Sequence, residues 1–141
     1  MTDPSVQVDL EQGIVEVGGI FRGRLQRRGE VDDLASGSNQ QVRAVRLTLG
    51  YETEGRGDVD KQTVAEQRFP VDEYGRVDAS FGLAVPSNGP ISYDGRLIRV
   101  LWSIQARVDV KLAMDRTTDI PVLIIPSGGW GLYHQPHPLP R

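Results

Sequence analysis

Few residues in this sequence have the types and spacing that chemistry requires. The sequence contains no Gly-x-Ser-x-Gly, P-loop or His-Glu-x-x-His motif, and it has no cysteine. Its two histidines, His134 and His137, lie in a C-terminal segment rich in Gly and Pro, which offers no rigid partners to orient metal ligands. We therefore expect no enzymatic activity, no metal site and no cofactor.

A turn near the middle of the chain carries two weaker motifs. Asp58 and Asp60 have the spacing found at the start of calcium loops, but no Glu follows at the twelfth position of such a loop. The tripeptide Arg56-Gly57-Asp58 matches an adhesion motif, which we interpret as a chance match. Both features are typical of a solvated turn between strands.

Length, charge and hydropathy narrow the class of protein. The chain has 141 residues, which is the size of one domain. Its net charge is -3 and it has no basic tail, so we expect it not to bind nucleic acid. No apolar run approaches about 18 residues, so no membrane span is predicted. The N-terminus has neither a basic leader nor an apolar stretch, and cysteine is absent. These features predict a cytoplasmic protein.

One stretch, residues 97–112, dominates the hydropathy pattern. From Ile98 onward every second residue is apolar, and among the residues between them only Leu101 is not polar. A period of two with β-branched and aromatic residues predicts a long strand with one buried and one solvated face. We expect all the alternating apolar side chains, Trp102 included, to lie in the core.

The rest of the chain also has the pattern of strands. Residues 6–10, 14–17, 21–25, 43–54, 63–69, 77–85 and 117–125 are predicted strands separated by short turns, and no window shows a helical spacing of apolar residues. The last of these is apolar on both faces, which favours a central position, although its Pro121 favours an edge. Seven or eight strands without a substantial helix predict an all-β, antiparallel sandwich.

Three consecutive segments resemble the core signature of arrestin-like domains. A strand that ends in Pro, Phe81-Gly-Leu-Ala-Val-Pro86, is followed by the connection Pro90-Ile-Ser-Tyr-Asp-Gly95. The long strand then follows, with an aromatic residue and a final Val-Asp, as Val100-Leu-Trp-Ser-Ile-Gln-Ala-Arg-Val-Asp109. The resemblance covers residues 6–126.

This resemblance implies an immunoglobulin-like sandwich that binds other proteins, as in arrestins, α-arrestins and the retromer cargo subunit; bacterial sporulation-control proteins share the fold. Most of these proteins carry two sandwiches, whereas we expect a single one over residues 1–126 and a tail over residues 127–141. The phosphate-sensing basic pair of the family has no clear counterpart. We interpret Arg27-Arg28, at a strand end, as a solvated pair.

Two groups of residues are candidates for partner binding. Arg99, Arg107 and Lys111 lie on the polar side of the long strand and could contact an acidic or phosphorylated partner, although Asp109 interrupts the patch. In the tail, Trp130, Leu132 and Tyr133 are unusual because inert, disordered ends are depleted in aromatic residues. We expect these three to dock on this domain, on another copy or on a partner.

The sequence supports three hypotheses for function. The first is a non-catalytic, cytoplasmic protein-interaction module, an adaptor or regulator of the arrestin-like type. The second is a structural subunit that assembles with itself through sheet edges or exchange of the tail. The third is a sandwich that binds a small molecule or carbohydrate, which is disfavoured because nearly all aromatic residues fall at predicted inward positions or in the tail.

Overall fold

The computed structural model describes residues 5–28, 42–110 and 116–128, which form nine strands and no helix. The strands are β1 (Val6–Leu10), β2 (Ile14–Glu16), β3 (Ile20–Arg27), β4 (Val42–Gly55), β5 (Asp58–Pro70), β6 (Val77–Ala84), β7 (Tyr93–Asp94), β8 (Ile98–Val110) and β9 (Arg116–Ile125). Two of them, β2 and β7, have only three and two residues. Strand β2 corresponds to the predicted strand at residues 14–17, whereas β7 was not predicted, so the described ranges contain nine strands instead of the seven or eight predicted.

The strands form two sheets that pack face to face. The smaller sheet has the order β1-β3-β6, and the larger has the order β2-β9-β8-β4-β5, with β7 added beside β8. Alternate residues of both sheets point inward, as the period of two predicts, and form one core. The prediction of an all-β sandwich is confirmed.

Strand β8 lies in the middle of the larger sheet, between β4 and β9. Its inward side chains from Trp102 to Val110 are buried, as predicted. Ile98 was predicted to be buried as well, but 53% of it is exposed. The longest strands of the smaller sheet have eight residues, whereas β8 has 13. The smaller sheet therefore does not cover the first residues of β8.

Strand β5 is longer than the sequence predicts because a tight hairpin carries it into register with β4. Arg56 and Gly57, the two residues of the loop, both have positive φ angles, +50° and +85°. A two-residue turn of this kind matches the twist of the flanking strands. Pairing therefore begins directly at Gly55 and Asp58, five residues before the predicted start of the strand.

Apolar residues on both faces favoured a central position for β9, whereas Pro121 favoured an edge. Each of these features describes one half of the strand. Its second half pairs with β2, so residues 123–125 lie inside the sheet. Pro121 lies just before this pairing begins, where the side of β9 away from β8 has no partner strand in the described sheet. The β2–β9 pair is parallel and is the one exception to antiparallel pairing among the described strands.

The interpretation of Arg27-Arg28 as a solvated pair is wrong for its first member. Arg27 is the last residue of β3 and is buried, whereas Arg28 is exposed. The Nη1 of Arg27 donates to the backbone carbonyl of Gly75, in the turn that precedes β6. The guanidinium therefore joins a strand end to a neighbouring turn, and burying it requires such partners.

Candidate functional site

The outer face of the larger sheet, which points away from the smaller sheet, has a continuous set of side chains defined by the strand register. Two adjacent rows cross β5, β4, β8 and β9, and a third row next to them crosses β5, β4 and β8. They are Glu66–Thr48–Gln105–Asp119, Thr63–Gly50–Ser103–Pro121 and Lys61–Glu52–Leu101. Directly opposed residues on neighbouring strands share a face, so these rows form one surface.

A groove of about 630 Å³ follows these rows. Its small central residues, Gly50 and Ser103, provide the room, and residues 92–94 form a wall next to β8. A volume of this size falls within the range of ligand-binding clefts, about 300–1,000 Å³. The groove is therefore large enough for a peptide segment or a small molecule.

An irregularity in β5 shapes the groove. Leu49 opposes Ala65 whereas Gly50 opposes Thr63, so Val64 is an extra residue without an opposite partner. A bulge of this kind bends a strand and increases its twist. The backbone of β5 consequently approaches Gly50 so closely that a Cβ atom there would overlap the carbonyl oxygen of Gln62.

Three apolar residues of the outer face, Leu101, Pro121 and Leu123, lie together at one side of the groove. Leu101 and Pro121 belong to neighbouring rows on β8 and β9, and Leu123 follows Pro121 on the same face of β9. Leu123 is 42% exposed. Leu101 is the single apolar exception on the polar side of the β8 alternation, and this exception is the local sign of the patch in the sequence.

Two of the predicted partner-binding cations lie on this outer face. The Arg99 guanidinium contacts two carboxylates, with Nε 2.9 Å from Oδ1 of Asp94 and Nη1 3.4 Å from Oε1 of Glu54. Arg107 lies eight residues further along β8, and its Nη2 donates to Oε1 of Gln105 at 3.3 Å. The two arginines therefore lie at opposite ends of the face instead of forming one patch.

Arg107 has cationic neighbours that the sequence did not reveal. It opposes Arg46 on β4, which in turn opposes Arg68 on β5. Glu66 offsets part of this charge through its ion pair with Arg46 at 3.0 Å. Only pairing of three separate strands creates this row, so no local sequence pattern could predict it.

Acidic residues gather at the end of the groove near Arg99. The pKa of Glu54 is raised from its ordinary value, first by a hydrogen bond shared with Glu52, then by burial and by the negative charges of Glu52 and Asp94, while Arg99 opposes the shift. Three carboxylates, those of Glu52, Glu54 and Asp94, therefore lie near the Arg99 guanidinium at this end of the outer face.

Trp102 lies beneath the groove and has the structural role that was predicted. It is 2% exposed, and its ring packs on Tyr51 with centroids 4.8 Å apart. The other predicted binding residues, Lys111, Trp130, Leu132 and Tyr133, lie outside the described residues, as do His134 and His137. Their roles remain predictions.

Within the described ranges, no group of three or more His, Cys, Asp or Glu side chains is placed to hold a metal ion. In the same ranges, no helix is long and apolar enough to span a membrane.

The two packed sheets and their register define the class: the fold is an arrestin-like β-sandwich, as the resemblance in the sequence predicted. In particular, the chain is similar to the crystal structure of Spo0M, a sporulation control protein from Bacillus subtilis, with a TM-score of 0.62 and 14% identity. The match covers 85% of this chain and 48% of the Spo0M chain, so the chain spans about half of that protein's length. No protein-family model and no curated protein sequence matches the chain. The likeness at this identity establishes the fold alone.

Proposed function

We propose that this protein is a non-catalytic protein-interaction module, an adaptor or regulator that binds a segment of a partner protein in the outer groove. The observation that carries the proposal is the apolar patch of Leu101, Pro121 and Leu123 in a groove that Thr, Ser, Gln and charged side chains also line. An apolar anchor with polar surroundings is the usual anatomy of a protein interface. The similarity to a sporulation control protein supports a regulatory role.

The proposal is tested by affinity purification of the intact protein from its native organism. Leu123→Asp places a charge in the apolar patch, so we expect it to lose the partner. Ile20→Asp is the matched control, since Ile20 is also a strand residue, is 40% exposed and lies on the smaller sheet. Circular dichroism checks that both variants fold. Equal recovery of the partner by both folded variants would contradict the groove as the binding site.

A second function, self-assembly, has its own observation. Strand β5 is an edge of the larger sheet, and its first six residues are all exposed. Unpaired backbone groups on an exposed edge can pair with a strand of another copy. A molecular mass that rises with concentration in light scattering would favour assembly, and a constant monomeric mass would favour the adaptor.

A further inference from the structure

The side chains that line the groove carry an excess of negative charge. They include three carboxylates, Glu52, Asp94 and Asp119, and one ammonium group, that of Lys61. The Nζ atom of Lys61 lies 3.6 Å from Oε1 of Glu52. Among the described residues that line the groove, no ammonium group pairs with Asp94 or Asp119.

The partners of Asp94 and Asp119 leave these groups able to attract a cation. Asp119 accepts a hydrogen bond from the neutral amide of Gln105 at 3.0 Å, so its charge is not cancelled there. Asp94 pairs with Arg99, but 75% of its side chain is exposed, and Arg99 is shared with Glu54. Exposed pairs of this kind are weak and exchange partners readily.

Two of the carboxylates, Asp119 and Glu52, lie in different rows along the strand direction, with the row of Pro121 between them. The row that contains Asp119 meets β8 at Gln105, and the row that contains Glu52 meets it at Leu101. These rows are four residues apart on β8, which is about 13 Å at 3.3 Å per residue. The first and fifth residues of an extended segment along the groove are separated by this length.

We propose that the groove selects a basic segment of the partner with the pattern base–x–apolar–x–base in an extended conformation. Alternate residues of an extended chain share a face, so the apolar side chain meets Pro121, with Leu101 and Leu123 next to it, while the flanking Lys or Arg side chains meet Asp119 at one end and Glu52 at the other. Electrostatic complementarity of this kind gives specificity and salt dependence. This inference rests on the proposed function and names the chemistry of the bound segment.

Three fluorescent peptides test the inference by anisotropy with the full chain. They share one length and carry Lys-Ser-Leu-Ser-Lys, Glu-Ser-Leu-Ser-Glu or Lys-Ser-Ser-Ser-Lys. The first should bind at least about tenfold more tightly than either of the others and should weaken as salt rises. Equal binding of the first two peptides, tighter binding of the second, or no binding of any would overturn the inference.

Carboxamide variants of the protein provide the reciprocal test. Glu52→Gln combined with Asp119→Asn should remove the preference for the Lys peptide, because the shape of the groove is kept while two charges are lost. Asp60→Asn is the matched control, since Asp60 opposes Thr53 and lies outside the groove lining. If Leu123→Asp abolishes capture of the native partner while the double variant and salt have no effect, the proposed function stands and this inference fails.

Discussion

At the scale of single residues, Asp72 shows how one carboxylate holds a turn of this sandwich. Its Oδ1 accepts hydrogen bonds from the backbone N–H groups of Tyr74 and Arg76, each at 2.9 Å, and its Oδ2 accepts one from the Arg76 guanidinium at 3.2 Å. The backbone N–H of Arg76, followed by that of Tyr74 and the Arg76 guanidinium, lowers the pKa of Asp72, although burial opposes the shift. The pKa of Asp78 is lowered mainly by its hydrogen bonds from Arg24.

These lowered pKa values predict an acid-dependent loss of stability. A carboxylate whose pKa is lower in the folded state stabilises the fold above its unfolded pKa, about 3.9, and the contribution is lost as pH falls toward the folded value. Asp72→Asn keeps the Oδ1 acceptor but has no charge. We expect it to be less stable than wild type at pH 7 and to lose less stability between pH 5 and pH 2.5.

Urea unfolding across this pH range measures the effect. Asp58→Asn, a second exposed aspartate at a strand end, is the control and should keep the pH slope of the wild type. The same slope in Asp72→Asn and wild type would show that the carboxylate of Asp72 does not stabilise the turn through its charge.

At the scale of elements, the bulge where β5 pairs with β4 determines the shape of the groove. Gly50 is required because the bulged strand brings the Gln62 carbonyl against the position of a Cβ atom. Gly50→Ala forces backbone to move, so we expect a loss of about 1–3 kcal/mol in the free energy of unfolding. Gly82→Ala is the matched control on β6, where the added Cβ would lie 3.4 Å from Cγ2 of Ile20.

Denaturant unfolding of both variants, with the m-value monitored, provides the comparison. Gly82→Ala should change stability by less than about 1 kcal/mol, since its Cβ meets only the end of an exposed side chain. Equal stabilities of the two variants would mean that the bulge can relax around a methyl group and does not fix the shape of the groove.

Strand β8 shows how far the sequence predicts an element and where prediction ends. Its period of two identified the buried face from Trp102 to Val110, because alternation is a local property of the chain. The exposure of Ile98 depends on the length of the opposite sheet, which no local pattern contains. The groove likewise depends on register: Leu101 was visible as an exception, but its neighbours Pro121 and Leu123 come from another strand.

At the scale of the whole molecule, the order of strands determines which residues meet. Long-range pairing of β4 with β8 unites the outer surfaces of segments about fifty residues apart in sequence. The arrestin-like sandwich was nevertheless predictable, because three consecutive segments kept the order and spacing of its core signature. Among the predicted partner-binding cations, only Arg99 and Arg107 can be placed, and the row of Arg46 and Arg68 beside Arg107 was not foreseen.

The central claim is that the outer groove is where this module binds its partner, and site-specific photo-crosslinking in the native organism tests it most directly. A photoreactive residue at position 123 lies in the groove, and one at position 20 has nearly the same exposure on the smaller sheet, 42% against 40%. We predict that position 123 crosslinks to a discrete partner protein and that position 20 does not. A partner captured from position 20 and not from position 123 would contradict the claim.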